Sequence, residues 1–578
     1  MSRAQPSAPG GGLDDPFAMA VLAAAVAGVA VGGLVWVGAQ AAALAANGRT
    51  LAVDAADVAR ALAALPRHAS SPALAWPPAA ARLLPTAAGY WAAQAGVVVA
   101  VGALGVIVGR RWKRSARGHP LRVRADAGLA RPNELAALRV RHNVEGRLNL
   151  GLVGRSLIAA APGDSLAVVG PTGCGKTAGF AIPALLEWEG PVIATSVKAD
   201  LLKATIEHRR REGKVFVYDP TGSAGQGASA SWSPLGTCGT WAGAMRTAAW
   251  LAEAAQPRRD SVTDGDYWYT QARRGLGPYL YAAGLDGRGM GDVVGWIDSQ
   301  DIREVRLILD KATYSKNDDI KSGATAAQAV ANGLWRREDR LRASVFSTIE
   351  NILAPYADPG VVAAGKANGF DFTKWLSGNH TLYVVATAHE QARLRPVLSV
   401  LVQQAVRSAY DDAARRDGGR LANPLLVMLD EAANIAPLPD LPGYAATARS
   451  HGITLVTIWQ DLAQLRDLYG HQAQTLLNNH RAKLFGSGIA DVDTLDYLSR
   501  LIGEQRNTER QRSADVGGGR RTISEHTSYR RLAPPDLLRR VRADRAVLVY
   551  GAELPAHVRL RPWYKDPELQ RLAKAAAT

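Results

Sequence analysis

Two long uncharged runs stand out in the pattern of hydrophobic and polar positions. The first extends from Phe17 to about Ala46 and the second from about Thr86 to Gly109, both built largely of Ala, Val, Leu and Gly. A helix rises 1.5 Å per residue, so about 20 residues cross the ~30 Å hydrocarbon core of a bilayer. The pattern predicts transmembrane helices over residues 17–46 and 86–109; two buried Ala-rich core helices are the alternative.

The charges around these runs indicate an orientation. Asp14 and Asp15 precede the first run, which is also too long for the apolar core of a cleaved signal peptide. A dense basic cluster follows the second run, as is typical of a cytoplasmic flank. Its members are Arg110, Arg111, Lys113, Arg114 and Arg117. We expect residues 1–16 and the chain from 110 onward to be cytoplasmic, and residues 47–85 to be extracytoplasmic.

Beyond the basic cluster, short apolar runs alternate with segments of helical length. These runs are Ser165 to Val169, Val192 to Thr195, Lys214 to Tyr218, Thr381 to Ala386, Pro424 to Leu429, Ile453 to Ile458 and Ala482 to Phe485, with one more strand at Ala546 to Tyr550. Such alternation predicts an α/β fold with a mostly parallel sheet covered on both faces. Residues 240–370 are instead rich in helix formers and predict an all-α domain.

Composition adds a preference for partners. The 578 residues carry a formal net charge of +16, which favours polyanions such as nucleic acid or anionic lipid head groups. A general Ala and Arg bias of the genome is the alternative explanation. Cys174 and Cys238 are the only cysteines, and we expect neither a disulfide nor a structural zinc site.

A glycine-rich motif follows the first apolar run of the α/β region. It reads Gly170-Pro171-Thr172-Gly173-Cys174-Gly175-Lys176-Thr177 and leads into the helix-like stretch Ala178 to Trp188. Strand, GxxxxGK[ST] and helix in this order predict a phosphate loop for ATP. Backbone N–H groups would hold the phosphates, Lys176 would neutralise the β- and γ-phosphates, and Thr177 would offer its hydroxyl to Mg²⁺.

Two carboxylates end a later apolar strand. Asp430 and Glu431 follow Leu425 to Leu429 directly, as a Walker B site requires, although an ordinary helix start has the same pattern. With a complete phosphate loop present, we expect Asp430 to hold Mg²⁺ through water. Glu431 would orient and deprotonate the attacking water. Such a catalytic base is typical of ATPases that perform mechanical work.

Two further residues flank the strand predicted from Ile453 to Ile458. Gln460 follows it and is a candidate sensor of the γ-phosphate; a polar residue starting a surface helix is the alternative. Arg449 precedes it, in a loop from which an arginine can reach the nucleotide of a neighbouring subunit and stabilise transition-state charge.

Two other segments allow two interpretations each. The aromatic stretch Asp266-Tyr-Trp268-Tyr is either a stacking platform for bases or, more commonly at helical spacing, part of a core. The basic tail from Arg506 to Arg531 surrounds Gly517 to Gly519 and predicts a flexible polar loop, either lining a pore or serving as a solvated linker.

Taken in order, these motifs resemble the type IV secretion coupling proteins, the TraG/TraD-like ATPases of conjugation. Beyond the segments above, the resemblance rests on Ser196-Val-Lys198-Ala-Asp200, Val217-Tyr218-Asp219-Pro220, Trp232-Ser233-Pro234-Leu235, Asp430-Glu431-Ala-Ala-Asn, Gln460-Asp-Leu-Ala-Gln464-Leu and Tyr469-Gly470. It covers nearly the whole chain from Phe17 to about Asp566. Ala432 stands where the family usually has an aromatic residue, and Ala199 replaces a common Gly; neither change removes a catalytic group.

The resemblance implies a RecA/FtsK-like P-loop NTPase core with an all-α insertion domain and two N-terminal transmembrane helices. The core would comprise residues 110–239 and 371–578, the latter with a C-terminal tail, around the all-α domain 240–370. It also implies a homo-hexameric ring on the inner membrane, with ATP and Mg²⁺ between subunits and Arg449 acting in trans.

The implied partners are single-stranded DNA with a bound relaxase and the subunits of a type IV secretion channel. An FtsK-type double-stranded DNA translocase and a docking receptor for protein cargo are the alternative functions. The short anchors and the large helical insertion favour the coupling protein over the first, and Glu431 argues against the second.

Overall fold

The computed structural model describes residues 16–115, 127–196, 199–222, 230–256, 265–366, 370–435, 437–514 and 521–574. The chain divides into two compact units, residues 1–125 and 126–578.

The first unit contains the two apolar helices that the hydrophobic pattern predicts. Its helices are α1 (Pro16–Asn47), α2 (Ala55–Ala64), α3 (Pro78–Ala81) and α4 (Ala87–Ser115). Within α1 and α4, Ala27–Asn47 and Ala87–Ile107 are long and apolar enough to cross a membrane. The Gln94 side chain donates a hydrogen bond of 2.9 Å to the carbonyl of Val35 and lies against Gly38, so the two long helices approach closely there.

The second unit is built on a large sheet and a separate two-stranded hairpin. Its strands are β1 (Arg139–Val140), β2 (Asn149–Val153), β3 (Ser156–Ala159), β4 (Leu166–Val169), β5 (Val192–Ser196), β6 (Val215–Tyr218), β7 (Thr381–Val385), β8 (Leu425–Leu429), β9 (Ile453–Trp459), β10 (Ala482–Phe485), β11 (Glu504–Ala514), β12 (Arg521–Arg531), β13 (Arg545–Tyr550) and β14 (Ala556–Arg559).

The large sheet has 12 strands in the order β1-β3-β2-β14-β13-β10-β4-β9-β8-β5-β7-β6. From β10 to β6 every neighbouring pair is parallel, which confirms the predicted α/β fold with a mostly parallel sheet. All of the short apolar runs named from the sequence beyond the basic cluster form strands of this sheet. The antiparallel extension from β13 to β1 was only partly predicted, because β1 to β3 and β14 are short.

Helices cover the sheet and fill the segment between β6 and β7. They are α5 (Ile182–Glu187), α6 (Ala199–Glu212), α7 (Trp241–Ala255), α8 (Gly265–Asp286), α9 (Met290–Asp298), α10 (Arg303–Thr313), α11 (Asp318–Trp335), α12 (Asp339–Leu353), α13 (Pro359–Ala363), α14 (Phe372–Trp375), α15 (Gln391–Ala414), α16 (Leu441–Thr447), α17 (Leu462–Tyr469), α18 (Gln472–Asn479), α19 (Val492–Ile502), α20 (Pro535–Arg539) and α21 (Pro567–Lys574).

The helical segment α7 to α13 shares a core with the sheet. Buried side chains of β7 and β8, such as Leu382 and Val427, belong to one continuous hydrophobic cluster with Leu276, Tyr279 and Phe346 of the helices. This packing joins the helical segment to the large sheet through a common hydrophobic core.

The basic tail forms two paired strands rather than the loop that the sequence predicts. We expected a flexible loop from Arg506 to Arg531, but β11 and β12 pair antiparallel over their full length, with Glu504 opposite Arg531 and Ala514 opposite Arg521. The sequences of these strands lack the alternation of apolar and polar residues that predicts a half-buried strand. Their pairing rests on backbone hydrogen bonds, which leave no mark in a hydropathy pattern. The predicted glycine tip, Gly517 to Gly519, lies outside the described residues.

Candidate nucleotide site

The predicted ATP-binding residues converge at one edge of the sheet. Strands β4, β9 and β8 are parallel neighbours, and the segments that follow them begin at Gly170, Gln460 and Asp430. Loops at the carboxyl ends of parallel strands are where open α/β sheets bind ligands. The fold therefore brings three distant sequence motifs together.

The phosphate loop is closed by its own lysine. Lys176 Nζ donates hydrogen bonds to the carbonyl oxygens of Gly170 and Pro171, the latter at 2.9 Å. Cys174 is buried beneath the loop, and burial raises the pKa of its thiol. An added Cβ at Gly486 would lie 2.9 Å from the Cys174 sulfur, so this cysteine fits only because the residue after β10 has no side chain.

The hydroxyl of Thr177 meets the first Walker B carboxylate. Thr177 Oγ1 donates to Asp430 Oδ2 at 3.1 Å, across 253 residues of sequence. Burial, assisted by the neighbouring charge of Glu431, raises the pKa of Asp430 to about 6. A buried carboxylate beside a hydroxyl is an oxygen donor set that suits Mg²⁺.

The second carboxylate occupies an unusual backbone position. Glu431 has a φ of +52°, in the left-handed region that most side chains avoid. Asn434 Nδ2 donates to Glu431 Oε2 at 3.4 Å, and Thr195 Oγ1 donates to the carbonyl of Asp430 at 3.0 Å. Asn434 ends the Asp430-Glu431-Ala-Ala-Asn motif, but the sequence assigned it no role. The sequence did not single out Thr195, whose only available signal was its place near the end of β5.

Gln460 lies beside the phosphate loop, because the carbonyl of Trp459 accepts a hydrogen bond of 3.1 Å from Gly170 N. The backbone N–H of Gln460 donates to Gln464 Oε1 at 3.0 Å. At the far end of α17, the Tyr469 hydroxyl donates to the carbonyl of Leu438, in the segment that follows Walker B. The strand that ends before Gln460 is thus hydrogen-bonded to the phosphate loop, and its Ile458 carbonyl accepts from Ala432 N, just after Walker B, at 3.3 Å.

Arg449 does not join this cluster within its own chain. It lies in a 3₁₀ turn, Ala448–His451, just before β9, whereas Gln460 lies just after that strand. Seven residues at about 3.3 Å each separate the two sheet edges by about 20 Å. At the edge opposite the phosphate loop, Arg449 pairs with Asp164 at 2.8 Å.

A C-terminal segment supports the phosphate-loop helix, which the sequence did not predict. The first turn after the loop, Thr177–Ala181, is a π-helix, and Pro183 lacks the N–H that would bond to Gly179. The backbone N–H of Arg561 donates to that carbonyl instead, at 3.2 Å, and Trp563 N donates to Ala178 O at 3.0 Å. The helix is therefore completed by residues from the far end of the chain.

The remaining sequence candidates have different surroundings. In the aromatic stretch, Trp268 and Tyr269 pack against the core, while Tyr267 is exposed. Val197 and Lys198 of the motif Ser196-Val-Lys198-Ala-Asp200 lie outside the described residues.

Comparison with known proteins agrees with this geometry. The model of the family described as type IV secretory system conjugative DNA transfer matches residues 127–577. The conjugal transfer protein TraG of Escherichia coli is 27% identical over 446 residues, which cover 70% of this chain and 68% of TraG.

Solved structures of a similar fold are also known. The bacterial conjugative coupling protein TrwBdeltaN70 in its unbound monoclinic form superposes with a TM-score of 0.56 at 18% identity, over 76% of this chain and 93% of that one. The plasmid coupling protein TrwB in complex with ADP and Mg²⁺ superposes with a TM-score of 0.54 at 17% identity, over 75% and 94%.

Proposed function

The chain belongs to the type IV secretory system conjugative DNA transfer family, and from that premise we propose that it is a membrane-anchored ATPase. Hydrolysis would drive single-stranded DNA, together with its bound relaxase, into a type IV secretion channel. The observation that carries this proposal is the convergence of Lys176, Thr177, Asp430 and Glu431 at one sheet edge.

The residues of the site divide the catalytic work. A phosphate chain would draw Lys176 Nζ away from the loop carbonyls that it now contacts, because a charged oxygen is the stronger acceptor. Thr177 and Asp430 would hold Mg²⁺, which neutralises charge on the phosphate oxygens when bound. Glu431 would accept the proton of the attacking water, with Asn434 fixing its carboxylate.

Arg449 supplies the argument for a ring. At about 20 Å from its own phosphate loop, it can serve only the nucleotide of another copy. A head-to-tail interface that closes on itself brings opposite faces of adjacent subunits together. We propose a homo-hexamer in which Arg449 completes the site of the next subunit. The TrwB complex with ADP and Mg²⁺ supports nucleotide binding in this fold.

The helices α1 and α4 would anchor the ring in the inner membrane, with the nucleotide-binding unit in the cytoplasm. Two apolar segments of spanning length support this placement, as does the basic cluster after the second one. The channel subunits and the relaxase are the partners that membership of a conjugative transfer family favours.

ATP hydrolysis by residues 126–578 tests the proposal, because this unit has its own core. Turnover is measured without DNA, with single-stranded DNA and with duplex DNA, at low and moderate salt. We expect stimulation by single strands that weakens with salt, since backbone contacts are electrostatic. Lys176→Ala and Glu431→Gln are the inactive controls. Preference for duplex would indicate an FtsK-type translocase, and indifference to both would indicate a docking receptor for protein cargo.

A further inference from the structure

A polar cavity lies at the sheet edge opposite the phosphate loop. Its volume is about 700 Å³. Its walls are the segments that precede β4, β9 and β10, the segment that follows β13, and helix α19; β13 runs antiparallel to β10. Arg449, Arg481 and Lys483 line it, and among the described lining residues Asp164 is the single carboxylate. The cavity is therefore net positive.

Asp164 joins the two arginines into a pair. Its side chain is only 1% exposed, and its two oxygens contact different guanidinium groups. Arg449 Nη1 lies 2.8 Å from Oδ1, and Arg481 Nε lies 3.5 Å from Oδ2. Both arginines remain about half exposed, at 53% and 52%, so each has donors left for an anion in the cavity.

The backbone and a tyrosine fix Asp164 in this position. The Tyr550 hydroxyl donates to Asp164 Oδ2 and accepts the N–H of Ala161 at 2.9 Å. Burial and the adjacent carboxylate raise the pKa of Tyr550 to about 12, so it stays a donor. Gly163 has a φ of +76°, and an added Cβ would lie 3.1 Å from Arg449 Cγ, which shows how closely this turn is fitted to the arginine.

We propose that Arg481 is a second cation that contacts the polyphosphate of the nucleotide bound to the neighbouring subunit, and that Asp164 is a positioning residue that holds Arg449 and Arg481 as one array. The proposal rests on the shared site described under Proposed function. Two guanidinium groups on a common carboxylate present a rigid pair of forks, which matches a polyphosphate better than one free arginine.

Charge and position favour this occupant. Arg481 immediately precedes β10 as Arg449 precedes β9, with β4 between the two strands, so any anion that reaches Arg449 from outside the chain also approaches Arg481. The guanidinium of Arg481 is further held over the ring of Tyr550, 5.9 Å from its centroid. A single array thus faces outward, where a second copy would place its phosphate loop.

The test uses the full chain in detergent and measures ATP turnover and binding of a fluorescent ATP analogue. Arg481→Ala should lower kcat at least about tenfold, by analogy with other trans-acting arginines. Nucleotide affinity should change little, and Arg481→Lys should recover part of the rate. Arg540→Ala is the matched control. Arg540 also pairs with an aspartate, but this pair is exposed and does not line the cavity.

Asp164→Asn separates positioning from general stability. It should lower kcat in the wild-type background but have a smaller effect on kcat in the Arg481→Ala background, which keeps measurable turnover, since part of its effect acts through Arg481. An equal loss of rate in both backgrounds would show that Asp164 serves the fold alone, and would overturn its assigned role.

Mixed subunits separate this inference from the proposal beneath it. Arg481→Ala subunits mixed with Glu431→Gln subunits should regain activity, as should Arg449→Ala subunits with the same partner. If only the mixture that contains Arg449→Ala regains activity, and the mixture that contains Arg481→Ala does not, the role of Arg481 is overturned and the shared site remains intact. Recovery with neither would refute the shared site itself. Normal basal turnover of Arg481→Ala with loss of stimulation by single-stranded DNA would overturn the inference and assign the cavity to DNA.

Discussion

At the scale of single residues, the site depends on contacts that join distant parts of the chain. Lys176, Thr177, Asp430 and Glu431 were predictable because their motifs combine residue type with fixed spacing. The contact of Asn434 with Glu431 was not, although Asn434 lies in a motif that the sequence shows, and Gly486 was not, because nothing local distinguishes a glycine after an apolar run. Their significance arises only when β8 and β10 meet the phosphate loop.

Gly486→Ala tests the fit beneath the phosphate loop. The new methyl group would lie 2.9 Å from the Cys174 sulfur, which is closer than carbon and sulfur can approach. We expect a loss of about 1–3 kcal/mol in the free energy of unfolding, as for other overpacked cores, together with weaker nucleotide binding. Urea unfolding and binding of an ATP analogue measure the two effects.

A compensating variant makes this prediction specific. In the Cys174→Ala background the nearest atoms to the new methyl group are Cβ of residue 174 and the carbonyl oxygen of Val169, both at 3.5 Å, which are ordinary contacts. Gly486→Ala should then cost little beyond Cys174→Ala alone. Equal costs in the two backgrounds would mean that Cys174 is not the obstacle.

At the scale of elements, the strands of the parallel sheet were predictable because each is a short, nearly continuous apolar run between turn residues. The hairpin of β11 and β12 was wrongly predicted as a loop, since its strands carry no apolar face. The π-helical turn after Thr177 also escaped prediction. It depends on Pro183 and on the backbone of Arg561, which approach each other only in the folded chain.

Arg561→Ala tests the support of the phosphate-loop helix. The guanidinium pairs with Glu187 at 2.5 Å and Asp566 at 2.8 Å, and the side chains of Arg561 and Glu187 are less than 10% exposed. Removing the arginine leaves Glu187 charged and buried, which costs about 3–5 kcal/mol in comparable pairs. Arg540→Ala, which breaks an exposed pair, should cost at most about 1 kcal/mol. Equal midpoints of urea unfolding would contradict the prediction.

His480 predicts a pH dependence for the junction of α18, β9 and β10. Its Nδ1 lies 2.7 Å from the carbonyl of Leu476 and its Nε2 lies 3.1 Å from Thr457 Oγ1, both in the interior. Burial lowers the pKa of His480 to about 4. The unfolded chain, with a pKa of about 6.5, therefore binds this proton more readily, so stability present above pH 6.5 is lost as the pH falls towards 4.

The size of this effect follows from the difference in pKa. About 2.5 units correspond to about 3 kcal/mol in the free energy of unfolding between pH 6.5 and pH 4. His480→Asn should reduce the pH dependence by that amount, whereas the exposed His471→Asn should leave it unchanged. Identical pH profiles for wild type and His480→Asn would contradict the buried neutral imidazole.

At the scale of the whole molecule, the sheet separates two complementary surfaces. One edge holds the phosphate loop and the Walker B carboxylates, and the opposite edge holds the arginine pair on Asp164. The sequence indicated the phosphate loop, the Walker B carboxylates and Arg449, but not Arg481 or Asp164. The distance between the two edges follows from strand order and direction. A chain that has its nucleotide site at one edge and its arginine pair at the opposite edge is suited to head-to-tail assembly.

Mixing Glu431→Gln and Arg449→Ala subunits is the most direct test of the claim that two copies share each catalytic site. Each variant alone should be inactive. In a random equal mixture, about a quarter of the interfaces would pair an intact Glu431 with an intact Arg449, so up to about a quarter of the wild-type rate should return. Turnover that stays at the level of the separate variants, in rings shown to contain both, would contradict the account.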